Sequence, residues 1–178
     1  MILLDATAFS LMVNPDARPP NDPTTGLPVA RVRERFRFLE AEAQRQRQTI
    51  LIPTPALAEV LVGLGDAGPA VLDRIMRSSH FKIAEFDTRA AVEVAAMTRE
   101  AIRAGDKRGG SSSDWQKVKI DRQIIAIARV QGAERVYSDD SGVASFAAAI
   151  SIPVVQTWTM PLPPEDAQGR FPFENSEE

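Results

Sequence analysis

Residues 118–141, VKIDRQIIAIARVQGAERVYSDDS, decide how this chain is read. Ile120, Ile124, Ile127 and Ala128 recur at helical spacing with Ile125 beside them, and Asp121 sits near the start of that pattern. Gly132 ends the helix. Val136 and Tyr137 then read as a short buried strand, and Ser138, Asp139 and Asp140 follow at its end. One carboxylate at a helix start and two more just past the next strand can converge on one place. In an open α/β sheet that place is the crevice beyond the carboxyl ends of the strands. Acids gathered there suit a divalent metal.

Towards the N-terminus, residues 2–4 (Ile-Leu-Leu) form a fully apolar run that suits a buried central strand, and Asp5 ends it. Asp5 is the only ionisable side chain in the first 13 residues, and a carboxylate in such surroundings needs compensation. It either caps a helix over residues 6–13 or faces a cation, and the two roles can coexist. Residues 49–52 read as a second strand, after which Thr54 can cap a helix with Pro55 at its first position. Across residues 50–65, ILIPTPALAEVLVGLG, Glu59 is the sole charge, while Leu57, Val60, Leu61 and Leu64 form the core stripe. A solvent face would carry more than one polar residue, so Glu59 is expected to reach from the helix edge into a polar site.

The rest is punctuation around these pieces. Residues 14–28 hold five of the chain's 13 prolines and read as a loop. Residues 29–47 form a charged helix with Val32, Phe36 and Leu39 inward, and its six arginines are too dispersed to define one face. A helix over 70–76, a strand over 81–86 and a helix over 89–104 capped by Asp87 or Thr88 come next. Residues 105–113, GDKRGGSSS, read as a flexible loop without a packing signal. Lys107 and Arg108 there, with Lys117, Lys119 and Arg122, concentrate positive charge beside Asp121. A helix over 144–150 and a strand over 153–156 complete the domain, and the tail from Met160 is rich in proline and acids.

Composition narrows the chemistry. With no cysteine, thiol nucleophiles, disulfides and Cys-ligated metals are excluded, and with His80 as the single histidine a Ser-His-Asp scheme is disfavoured. Carboxylates, hydroxyls, Lys and Arg remain. No run of about 18 apolar residues marks a membrane span. The apolar start lacks a basic segment and carries Asp5, so a signal peptide is not expected and a cytoplasmic protein is. A net charge of −3 does not advertise a polyanion ligand, although uneven placement of the bases permits one.

Taken together, ILLDATAF at the N-terminus, IPTPALAEVL and DRQIIAIARVQGAERVYSDD resemble the PIN-domain family of metal-dependent ribonucleases, most of all its VapC-like toxins. The resemblance covers about residues 1–157 and leaves 158–178 as a C-terminal extension. It implies a three-layer α/β fold with a central parallel sheet of about five strands. It also implies acids around one or two Mg²⁺ or Mn²⁺ ions: Asp5, Glu59, Asp121 and Asp140, with Ser138 the accompanying hydroxyl. Asp139 would serve if the register differed by one. Asp5, Asp121 and Asp140 would be ligands, Glu59 would hold a water, and Lys107, Arg108, Lys119 and Arg122 would contact RNA phosphates. RNA, a cognate antitoxin and a second copy of the chain are the implied partners, with no membrane. Two departures stand out: Ala6-Thr7 follows the first Asp where Thr-Asn is frequent, and the 14–28 loop and acidic tail exceed a minimal member. A haloacid-dehalogenase-type phosphatase would want a second Asp where Thr7 stands. A structure-specific DNA nuclease and a non-catalytic PIN-like module binding RNA or protein are the remaining alternatives.

Overall fold

Strand alternation sets the layers of this fold. The computed structural model describes residues 1–111 and 113–164. Strands β1 (Ile2–Leu4), β2 (Ile50–Pro53), β3 (Phe81–Ala84), β4 (Arg135–Tyr137) and β5 (Val154–Val155) form one sheet. All neighbours pair in parallel, in the order β3-β2-β1-β4-β5. Ile2, Leu4, Ile50 and Ile52 project into one core, whereas Leu3, Leu51 and Val136 project into the other. Such near-continuous apolar strands are what a parallel sheet buried on both faces requires.

Helices α1 (Ala6–Val13), α2 (Val32–Arg45) and α4 (Gly68–Arg77) supply Phe9, Phe36 and Ile75 to the first core. Helices α5 (Thr88–Arg103), α6 (Trp115–Val130) and α7 (Ser141–Ala149) supply Ala90, Ile125 and Phe146 to the second. Helix α3 (Thr54–Leu64) serves both, through Ala56 and Leu57. The three-layer parallel α/β architecture expected from the sequence is the one found.

Several boundaries differ from the expected ones, each for a local reason. Helix α6 starts at Trp115, where Asp114 accepts the amides of Gln116 and Lys117, so a cap rather than the apolar stripe sets its beginning. Asp121 therefore stands in the second turn, one turn beyond Lys117. Helix α7 starts at Ser141 because Asp140 caps it. Residues 105–111 are held rather than loose: Asp106 accepts the amides of Arg108 and Gly110, and Arg122 donates to the Lys107 carbonyl. The beginning of the C-terminal extension is docked as well. Met160 is buried in the first core, Trp158 packs against it, and the Arg35 guanidinium donates to the Met160 carbonyl. Residues 165–178 of that extension lie outside the described residues.

By length and composition alone, the 24-residue helical run Thr54–Arg77 would suit a membrane span, contrary to the expectation from apolar runs. Here it is α3 and α4 joined by a 3-10 turn at Gly65–Ala67, with Ala56, Leu57, Val60 and Ile75 packed in the protein core.

Candidate active site

The sheet order reverses between β1 and β4: β2 and β3 extend to one side of β1, β4 and β5 to the other. A crevice opens at such a point beyond the strand ends. Leu4 pairs with Tyr137, and the Asp5 amide continues the ladder by donating to the Tyr137 carbonyl at 3.1 Å. That register brings Asp5 beside Ser138. Asp5 becomes the cap of α1, its Oδ1 accepting the Ala8 amide at 2.7 Å, while Ser138 Oγ donates to Oδ2. Ser138 in turn accepts the Asp140 amide at 3.0 Å, so one buried hydroxyl ties the two strand ends together.

From these strand ends a cleft of about 260 Å³ runs between α1, α3, α6 and α7, lined by Asp5, Glu59, Asp121, Asp140 and Lys117. Four of the expected acids thus meet, although they come from positions as far apart as 5 and 140. Ile120, Ile124 and Val143 give the cleft an apolar wall. Glu59 is exposed at the rim, whereas Asp5 and Asp121 are each only 3% exposed.

The electrostatics follow from that burial. Asp5 is pushed up to about 7, chiefly by loss of solvent, against the opposing bonds from Ser138 and Ala8. Asp121 is raised to about 6, again mainly by burial, with Lys117 pulling it down and Asp140 and Glu59 pushing it up. Asp140 goes the other way. Burial would raise it, but Lys117 and the Val143 and Gly142 amides outweigh that and hold it below the usual carboxylate range. Among the described residues, Oδ2 of Asp121 is buried without a hydrogen-bond partner. A buried charged oxygen left in this state is costly and calls for a cation.

Two residues beside the acids lay outside the expected site. Lys117 Nζ lies 2.6 Å from Asp140 Oδ2 and 3.5 Å from Asp121 Oδ1. Its position four residues before Asp121 was the available signal, since i and i+4 share a helix face. Gly142, in the first turn of α7, is the second. A Cβ there would come within 2.8 Å of Asp121 Oδ2 and 2.9 Å of Asp140 Oδ1, so only glycine leaves the two carboxylates their space. We expect Gly142→Ala to lower stability by about 1–3 kcal/mol, as overpacking does, and to weaken divalent-ion binding. Urea unfolding and Mn²⁺ titration would check this, and a variant indistinguishable from wild type in both would refute it.

Other candidates lie elsewhere. Asp139, the alternative ligand, spends both oxygens on Thr157, accepting its amide at 2.7 Å and its hydroxyl at 2.6 Å. It clamps the turn after β5, and Asp140 alone faces the cleft. Arg122 is a correction to the phosphate contacts: it is 2% exposed, donates to Lys107 O and Thr98 Oγ1, and stacks on the Phe146 ring at 5.0 Å. Gly109 approaches that ring so closely that a Cβ would meet Phe146 at 2.9 Å. Arg122→Met is expected to cost about 1–3 kcal/mol through the unpaired Lys107 carbonyl, with RNA affinity per folded molecule unchanged. Selective loss of RNA affinity at unchanged urea stability would contradict this role. Lys107 lies with its ammonium 4.0 Å over the Trp115 ring, and Arg108 is exposed on the same loop. Lys119 is two residues from Asp121 on α6, about half a turn around the helix from the cleft. His80 precedes β3, at the opposite end of the sheet from the acids.

Among the described residues, no three acidic side chains are arranged to hold a metal ion as they stand, and Lys117 is the cation placed among them. The donor set nevertheless fits Mg²⁺ or Mn²⁺. It is all oxygen, includes an unpartnered buried carboxylate oxygen, and borders a space kept open at Gly142.

No family model matches the sequence, and no curated protein does. Solved structures do share the fold. VapBC2 from Rickettsia felis bound to a DNA fragment from its promoter aligns with a TM-score of 0.54 at 15% identity, covering 88% of this chain and 98% of that one. DNA-bound VapBC from Salmonella typhimurium aligns with a TM-score of 0.50 at 17% identity, covering 88% and 97%. The PIN-like fold expected from the sequence is the fold these alignments show.

Proposed function

We propose that this chain is a Mg²⁺- or Mn²⁺-dependent endoribonuclease of the VapC-like kind, acting as the toxin of a toxin–antitoxin pair. The observation that carries the reading is the meeting of Asp5, Glu59, Asp121 and Asp140 in one cleft, with a buried carboxylate oxygen of Asp121 unpaired. Asp121 and Asp140 would hold the ion together with Asp5. When bound, such an ion would polarise the scissile phosphate, acidify an attacking water and offset charge on the leaving oxygen.

The chain's own residues do the rest. Ser138 fixes the Asp5 carboxylate by donating to Oδ2, and the α7 amides fix Asp140 through Oδ1. Each carboxylate is thereby oriented before substrate arrives. Glu59, exposed at the rim, would hold the attacking water and take its proton on the carboxylate. Lys107 and Arg108 would meet the phosphates of a single-stranded or looped RNA, whose backbone is accessible.

The two solved structures compared above are VapBC assemblies, which supports a small antitoxin protein as a partner of this chain. A homodimer belongs to the same reading and is checked by sedimentation at micromolar concentration. The competing reading, a non-catalytic module that binds RNA or protein, draws on Lys117, because an ammonium that neutralises the acids permanently would make a metal superfluous. Purified chain incubated with an RNA panel and single-stranded DNA, in Mg²⁺, Mn²⁺ or chelator, separates the two. Chelator-sensitive RNA cleavage is expected, and RNA binding with no cleavage in any metal defeats the nuclease reading.

A further inference from the structure

In this cleft the chain supplies a cation of its own. Asp140 commits Oδ1 to the Gly142 and Val143 amides at 2.7 and 3.0 Å, which leaves Oδ2 as its outward-facing donor. Lys117 Nζ sits on that atom at 2.6 Å, and it also faces Asp121 Oδ1 at 3.5 Å. A divalent ion shared by Asp121 and Asp140 would need the same Asp140 oxygen and would stand within a few ångströms of the ammonium. Two like charges so close in a half-buried cleft repel strongly, so both do not stay. Lys117 has an exit: its side chain is 45% exposed and pivots on a four-carbon stem. The carboxylates have no such freedom, being pinned by a helix cap and by burial.

We infer that Lys117 is an internal counter-ion that must leave the Asp121–Asp140 pair before a divalent ion is held there, and that it thereby sets the metal affinity of the cleft. This rests on the metal-dependent reading above. It makes Lys117 a positioning residue: it offsets the repulsion between two pinned carboxylates without metal, and it is released at the mouth of the cleft when metal arrives.

The test reads metal occupancy, not cleavage. In titrations of the full chain followed by the electron paramagnetic resonance signal of free Mn²⁺, Lys117→Met should bind Mn²⁺ up to about tenfold tighter than wild type, the scale of a half-buried ion pair. Lys117→Arg, which keeps the charge, should stay near wild type. In the wild-type chain, the ¹³Cε resonance of Lys117 should shift as Mg²⁺ is added, a measurement that does not depend on how the Met variant folds. Equal or weaker Mn²⁺ binding by Lys117→Met, or a Lys117 resonance unmoved at saturating Mg²⁺, overturns the inference while leaving the metal reading intact. Absence of Mn²⁺ binding by every protein overturns both.

Discussion

Asp121→Asn protein is expected to lose metal-dependent RNA cleavage while melting at a higher temperature than wild type in chelator. The two effects have one cause. Asp121 is 3% exposed, carries an unpartnered Oδ2 and is raised to about 6 mainly by burial, so its charge near neutral pH is held at a cost. That displacement from the ordinary carboxylate range corresponds to about 3 kcal/mol at pH 8, part of which the neutral amide recovers without changing shape. The loss of cleavage should exceed about 100-fold, more than removal of a residue merely supporting a metal ligand costs. Asp5→Asn should behave alike, since Asp5 is equally buried. Calorimetry in chelator and a cleavage time course in Mg²⁺ are sufficient. Wild-type cleavage by both variants would remove these residues from the site, and a lower melting temperature for both would mean that the charges stabilise the fold.

The metal-free protein should also lose stability as pH rises from about 4 to about 7. In that interval folded Asp5, at about 7, keeps a proton that the unfolded chain, at 3.8, has released. The native state then binds more protons than the unfolded one, so unfolding free energy falls with pH. Below 3.8 both states are protonated and the contribution is constant, and above 7 the full penalty is in place. Asp121 adds a smaller share between 3.8 and about 6. Together they amount to several kcal/mol, at about 1.4 kcal/mol for each tenfold difference in proton affinity between the folded and unfolded chain. Asp140 is shifted down, so its stabilisation is complete above 3.8 and fades only under more acidic conditions. Urea midpoints at pH 5 and pH 8 in chelator would show the decline, and Mg²⁺ should reduce it. Stability that is flat or rising between those two pH values would refute the electrostatic account of the cleft.

The acids were legible from local context, two of them at strand ends and one by its isolation. Asp5 ends an apolar strand, Asp140 follows another, and Glu59 is the one charge on a greasy helix. Lys117 was visible as positive charge but not as a partner of Asp140, because a contact across 23 positions leaves no periodic trace. The same holds for Arg122. It read as a phosphate contact because nothing local shows that its guanidinium is turned inward onto Lys107 O and Phe146. That inward turn also ties down the Lys107 end of a loop that read as slack.

The sequence by itself determined the alternation of apolar strands and amphipathic helices, hence a parallel sheet buried on both faces, and the placement of Asp5 and Asp140 at strand ends. Those features are encoded within a few residues of one another, where backbone periodicity and capping chemistry act. Only the tertiary structure decided which oxygen of each carboxylate is free, that Asp139 turns to Thr157 while Asp140 faces the cleft, and that Lys117 lies between Asp121 and Asp140. Such choices depend on strand register and on the packing of α6 against α7, where side chains distant in the chain compete for the same space.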